Sequence, residues 1–392
     1  MMGLNVNILA EPLRQYMVDI RRRLHMWPEC SGKEYETTAM IKRELEKEGI
    51  PYSAPADTGC IAAVRGGREG KVIALRADID ALPIQELTDL PYRSRNEGVM
   101  HACAHDGHVA ALLAAAKILH QQREHWAGTV KLIFQPSEEY LPSGALGMVE
   151  SGELGDVSAV MGIHIKNDML TGQCSVEAGP RMAASAGVDI HIKGKGGHGG
   201  APHEAVDAVV VAAAVISNLQ SIASRELDKE NSAVISIGSL NAGTGKNIVA
   251  EDAYLCGTCR FYDPGLLPVL RESISRITRH TAAAFRAEAA VSVELGCPAV
   301  INDPLLSEIG ERTAEMLWGR QAIVRYPKSN LNEDFSHYAK ISPVHYALIG
   351  AKNGPDGCNA PHHSPNFTFD EASLPLATQY YVQYALTYLA RA

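Results

Sequence analysis

Apolar residues recur at helical spacing over residues 12–26 and 35–48, and the second segment ends at Gly49. The texture then changes. Residues 71–78 (Lys71-Val72-Ile73-Ala74-Leu75-Arg76-Ala77-Asp78) and 128–134 (Gly128-Thr129-Val130-Lys131-Leu132-Ile133-Phe134) are short apolar runs that read as strands of a largely buried sheet. Between them, 109–120 is rich in Ala and Leu and reads as a helix, so a βαβ unit is the economical assembly. The chemically distinctive segments fall just beyond a predicted strand end or at a helix start, where open α/β sheets place their ligands.

Near residue 182 a second pattern begins. Asp189-Ile190-His191-Ile192-Lys193-Gly194-Lys195 alternates, an Ala/Val-rich helix is predicted over 205–224, and strands follow at 233–237 and 254–261. A further helix over 266–286 precedes a strand at 289–293. This βαββαβ order is that of a small ferredoxin-like two-layer domain. Because the histidines at 362–363 belong with the chemistry of the first part, the second pattern reads as an insertion. At 392 residues the chain exceeds what one core usually supports, which favours two domains. The expected division is 1–182 and 297–392 for a catalytic α/β domain, and 183–296 for the insert.

A hydrophobic content of 46% with 21% charged residues describes an ordinary soluble globular chain, and a net charge of −9 argues against nucleic acid or an anionic membrane as the main partner. The N-terminal Met1-Met2-Gly3-Leu4-Asn5-Val6 lacks a basic region followed by a long apolar run, and no stretch reaches about 18 uninterrupted apolar residues. A cytoplasmic location is the default expectation. Eight cysteines are too sparse for a disulfide framework and are expected to be reduced. Cys256 and Cys259 form a C-x-x-C, but they sit in a predicted strand, where residues three apart face opposite sides. Cys30, Cys60, Cys174, Cys297 and Cys358 read as small apolar fillers.

Four segments stand apart: His101-Ala102-Cys103-Ala104-His105-Asp106-Gly107-His108, Gln135-Pro136-Ser137-Glu138-Glu139, Met161-Gly162-Ile163-His164-Ile165, and His362-His363-Ser364-Pro365. Thiolate, imidazole and carboxylate groups are costly to cluster in an interior unless a cation compensates them. Cys103 and His105, two apart on a segment taken as extended, would point the same way. Glu138 and Glu139 directly follow a buried strand, so one could bind metal while the other faces a substrate. That is what hydrolysis needs: a bound metal lowers the pKa of water from 15.7 to about 7, and a nearby carboxylate can take the proton and pass it to the leaving amine. Five candidate ligands suit two metals better than one.

On these motifs the chain resembles the aminoacylase and carboxypeptidase family of two-metal peptidases (the M20 family). It is most similar to the amidohydrolase branch with hippurate hydrolases, N-acyl-amino-acid deacetylases and auxin-conjugate hydrolases. The likeness extends to Arg22-Arg23-Leu24-His25 with Pro28-Glu29, Asp57-Thr58-Gly59, Arg76-Ala77-Asp78-Ile79-Asp80-Ala81-Leu82-Pro83, Gly194-Lys195-Gly196-Gly197-His198 with Pro202-His203, and Asn332-Glu333-Asp334-Phe335-Ser336. It implies a catalytic α/β/α sandwich carrying an inserted ferredoxin-like lid that dimerises. It further implies Cys103, His105, Glu139, His164 and His363 as ligands of a two-metal centre, with the His-Ser-Pro match selecting His363 over His362; the resemblance leaves the bridging ligand open, and the spare lone pairs of a thiolate make Cys103 the candidate. Glu138 becomes the general base and acid. Asp78 and Asp80 orient the centre from behind, although a turn after a strand is the plainer reading of that pair. His198 would stabilise the oxyanion, and Asn247 and Arg260 would bind substrate, against a plainer reading as loop and ion-pair residues.

Three positions depart from the family pattern: Ala104 stands where glycine is usual, Ala250 where proline is common, and Ser137 where alanine is common. The expected activity is metal-dependent cleavage of the amide of small N-acyl amino acids, with manganese or zinc, or else cobalt or nickel, as the metal. The alternatives are a dipeptidase or aminopeptidase, which needs an acidic partner for the substrate ammonium, and a metal-binding protein without turnover, which has no use for Glu138.

Overall fold

The computed structural model describes residues 5–228, 231–353 and 360–391, and they fall into two compact units. The first comprises Met1–Gly179, Ile301–Pro327 and Asp334–Ala392; the second comprises Pro180–Val300 and Lys328–Glu333. The short segment Lys328–Glu333, which carries no periodic pattern of its own, joins the second unit.

The first unit is built on a seven-stranded mixed sheet in the order Tyr52–Ser53, Cys60–Arg65, Ala127–Gln135, Arg68–Asp78, Ala159–Leu170, Val344–Lys352, Cys174–Ser175. Its four central strands are mutually parallel, and the outer pairings are antiparallel. Arg68–Asp78 and Ala127–Gln135 are joined through helix His105–Gln121, which is the expected βαβ unit. Strand Val344–Lys352 is buried almost throughout, as a strand covered on both faces must be. Along Ala159–Leu170 the side chains alternate: Ile163 and Ile165 belong to the core shared with helices Arg14–Met26, His105–Gln121 and Ser373–Leu389. Gly162 points the other way, where an added Cβ would come within 2.9 Å of the Phe335 ring. The short helices Gly144–Glu150 and Asp334–Lys340 pack together.

The second unit is a four-stranded antiparallel sheet in the order Ala233–Ala242, Asp252–Phe261, Ala184–Lys193, Glu288–Cys297, with helices Ala208–Ser221 and Leu266–Ala284 packed on it and on each other. This is the ferredoxin-like order. Ala184–Lys193 alternates buried and less buried positions along its length, which gives the sheet one packed face. Cys256 is exposed and Cys259 buried on the same strand, so the C-x-x-C does not converge. Cys60, Cys174 and Cys297 are buried and Cys30 is partly so, whereas Cys358 lies outside the described residues.

Candidate metal centre

The first unit gathers its polar side chains at the carboxyl ends of the parallel strands. Asp78 and Gln135 end adjacent strands in register with each other. Beyond Gln135 the chain enters the loop 136–143, which carries Glu138 and Glu139, and His164 projects from the neighbouring strand Ala159–Leu170. The helix of the βαβ unit begins at His105, four residues earlier than its apolar pattern suggests. Cys103 and His105 are therefore not on an extended segment. Ala104 between them is left-handed, with φ 66°, and this reversal lets donor atoms of Cys103, His105 and Glu139 come within 4.8 Å of one another. A left-handed residue explains why glycine is suited to this position. Ser137 (φ 48°) and His363 (φ 64°) are also left-handed. Each such residue costs about 1–3 kcal/mol and persists only where its surroundings over-determine it.

Those surroundings are largely carboxylates. His105 Nδ1 donates to the backbone oxygen of Asp80 at 2.9 Å and to its Oδ1 at 3.1 Å, which turns Nε2 towards Glu139 Oε1, 3.9 Å away. Asp80 Oδ2 accepts from Ser31 Oγ (2.7 Å) and from the backbone N–H of Glu139 (3.0 Å). Asp78 accepts from His108 Nδ1 (2.6 Å) and Arg76 Nη1 (2.6 Å). His108 uses its other nitrogen to accept from the Ile165 N–H at 2.9 Å, so it braces the strand that carries His164. His164 donates Nδ1 to the Ile165 carbonyl (2.9 Å) and turns Nε2 to within 3.5 Å of Cys103 Sγ. His363 Nε2 lies 3.2 Å from Glu139 Oε1.

The charges in this cluster are unequal. Burial would raise Asp78, but Arg76 and the imidazoles of His105 and His108 outweigh it and hold the carboxyl well below its ordinary value. Burial also opposes ionisation of Asp80, and the hydrogen bond from His105 reverses that. Burial, with His108 and His362 nearby, keeps His164 neutral, the form in which imidazole binds a cation. The hydrogen bond to Cys103, then that to Glu139, lifts His363 to about 10. Burial and the neighbouring Glu139 push the Cys103 thiol up. Glu139 Oε1 is enclosed, with His363 Nε2 at 3.2 Å and His105 Nε2 at 3.9 Å. An enclosed carboxylate oxygen, a thiol and imidazole nitrogens facing one another fit divalent cations, which would favour the thiolate.

His362, passed over for His363 on the motif match, joins the cluster as well. Its donor atom groups with those of Cys103 and His164 within 4.8 Å, its ring packs 5.1 Å from His164 and 4.7 Å from Phe367, and neither enclosed ring nitrogen has a hydrogen-bond partner among the described residues. His363 lies by Glu139 and Cys103, and His362 by Cys103 and His164. Arg76, Gln135, Glu34 and Asp334 also belong to the site without having been expected there, although Arg76, Gln135 and Asp334 stand inside motifs already singled out.

The expected lid residues all lie in the second unit. Gly197–His198 pairs with Ile248–Val249, His198 opposite Ile248, and Gly199 N–H donates to the Asn247 carbonyl at 2.8 Å, so His198 and Asn247 are neighbours and both are exposed. Arg260 sits on a different strand and donates to Asn332 Oδ1 at 2.5 Å.

Residues 74–387 match the family model described as peptidase family M20/M25/M40. An N-acetylcysteine deacetylase of Bacillus subtilis is 40% identical over 375 residues, 95% of this chain and 97% of that protein. An IAA-amino acid hydrolase of Arabidopsis thaliana is 38% identical over 379 residues, covering 95% and 85%. Among solved structures, the Bacillus subtilis YXEP protein, described as a dinuclear metal-binding peptidase of the M20 family, superposes with a TM-score of 0.87 at 35% identity, covering 97% of this chain and 100% of that one. With a shared architecture and end-to-end likeness at these levels, the chain belongs to peptidase family M20/M25/M40 and is a metal-dependent amide hydrolase.

Proposed function

We propose that this enzyme hydrolyses the amide bond of small N-acyl amino acids to a carboxylate and a free amino acid. The convergence of Cys103, His105 and Glu139 donors beside an adjacent half-buried acid, Glu138, carries the reading. The names of the relatives, an N-acetylcysteine deacetylase and an IAA-amino acid hydrolase, support the substrate class.

In this reading Cys103, His105, Glu139, His164 and His363 would hold two divalent cations, manganese or zinc; Asp80 fixes the His105 ring, and Asp78 fixes His108, which braces the strand carrying His164. When bound, the cations supply a lowered water pKa and polarisation of the acyl carbonyl. Glu138 accepts the proton of the attacking water and delivers it to the leaving nitrogen, so that the amine departs neutral. His198 donates a hydrogen bond to the oxygen that gains charge, and Asn247 and Arg260 bind the substrate carboxylate. The catalytic α/β domain is read as 1–182 with 297–392, and 183–296 as an inserted lid through which two copies associate. Val209 and Val210, exposed on helix Ala208–Ser221, support association. A cytoplasmic location is part of this reading, in keeping with eight cysteines too sparse for a disulfide framework.

Glu138→Ala tests the mechanism. Metal-loaded variant should retain two ions per chain by elemental analysis and lose turnover by about 10²–10⁴-fold. Wild-type turnover in the variant would overturn the assignment of the base.

A further inference from the structure

The motif Asn332-Glu333-Asp334-Phe335-Ser336 has no part in the chemistry above. Its aspartate is 4% exposed and accepts from donors on three separate segments. Gln135 Nε2 reaches Oδ1 at 2.8 Å and Oδ2 at 3.0 Å, Ser143 Oγ reaches Oδ2 at 2.7 Å, the Ala145 N–H reaches Oδ2 at 3.1 Å, and Arg76 Nη2 reaches Oδ1 at 3.0 Å. Gln135 stands just before the loop 136–143, and Ser143 and Ala145 stand at its far end. One carboxylate thus ties together both ends of the loop that carries Glu138.

Within the loop the backbone is gripped twice more. The Ser137 N–H donates to buried Glu34 Oε1 at 2.8 Å, and the Glu139 N–H donates to buried Asp80 Oδ2 at 3.0 Å. These bonds flank Glu138 on either side and hold Ser137 in its left-handed conformation, which an unconstrained loop would relax. Arg76 joins the arrangement to the donor cluster, because the same guanidinium binds Asp334 through Nη2, Gln135 through Nε (2.8 Å) and Asp78 through Nη1 (2.6 Å). Such a planar fork fixes three partners in one geometry.

We propose that Asp334 is a positioning residue for Glu138: by closing the loop 136–143 against Arg76 it fixes the base relative to the donor cluster. The inference rests on the reading of Glu138 as the base. Misplacing a reacting group by about 1 Å costs about 10²-fold, whereas substrate and metal are held by other side chains. The effect therefore falls on kcat.

The test uses the full metal-loaded protein carrying Asp334→Asn, with Ser143→Ala as a milder variant that removes one donor and keeps the Arg76 ion pair. Steady-state kinetics on an N-acyl amino acid should show kcat lower by about 10–100-fold in Asp334→Asn, with KM within about twofold of wild type and two metals retained. Ser143→Ala should shift kcat in the same direction by less. Hydrogen exchange, which needs no turnover, should quicken at amides 137–145 in Asp334→Asn and stay unchanged along strand Ala127–Gln135. Quickened exchange in a protein whose wild type cleaves no acyl substrate would keep the positioning role and discard the functional reading. Unaltered kcat and exchange in both variants would overturn the proposal. So would joint loss of metal and kcat in Asp334→Asn with wild-type behaviour in Ser143→Ala.

Discussion

His362 and His363 are adjacent in sequence yet approach Cys103 from different sides: the backbone at His363 is left-handed and its ring lies by Glu139, while His362 packs on His164 and Phe367. With His363 as a ligand, His363→Ala should leave less than two ions per chain after equilibration with limiting manganese, and His362→Ala should retain both; elemental analysis decides between them. The reverse pattern would move the ligand to His362. Nothing in a string of residues distinguishes two neighbouring histidines except a motif match, since the distinction lies in one backbone angle. Ala104 teaches the same lesson. Its place beside two donors was legible, but the left-handed turn that makes Cys103 and His105 converge was not, and alternation along an extended segment supplied the wrong reason for their proximity.

At the scale of elements, the strands and helices with clean apolar periods were legible: Arg68–Asp78, Ala127–Gln135 and the helix between them follow from pattern alone. The first turn of that helix did not, because Asp106 and His108 are polar. Both are nevertheless buried: Arg21 Nε lies 2.9 Å from Asp106, His25 Nδ1 donates to it at 2.8 Å, and Asp78 accepts from His108. Polar residues satisfied by distant partners break the hydrophobic period without breaking the helix. Arg76 is the most consequential of these partners. Replacing it with leucine leaves Asp78 and Asp334 buried without their cation, so urea unfolding of Arg76→Leu should show a loss of about 3–5 kcal/mol. A midpoint equal to wild type would mean that the carboxylates are neutralised in some other way.

For the whole molecule, the contrast between a large, mostly buried mixed sheet and an alternating ferredoxin-like sheet was legible because the two differ in period. Strand Val344–Lys352 pairs with Ala159–Leu170 across the intervening second unit, which only the return of the His363 segment to the first unit's chemistry hinted at. Segment Lys328–Glu333, which brings Asn332 to Arg260, could not be assigned from pattern, since it has neither apolar period nor composition to mark it. Whether the donor cluster and Glu138 together cleave acylated amino acids is decided by amine release from a panel of N-acetyl and N-benzoyl amino acids beside free dipeptides, using chelator-stripped protein resupplied with manganese or zinc. Stripped protein should release no amine, and adding metal should restore cleavage of the acylated compounds. Cleavage of dipeptides alone, or release that is indifferent to metal, would contradict that reading.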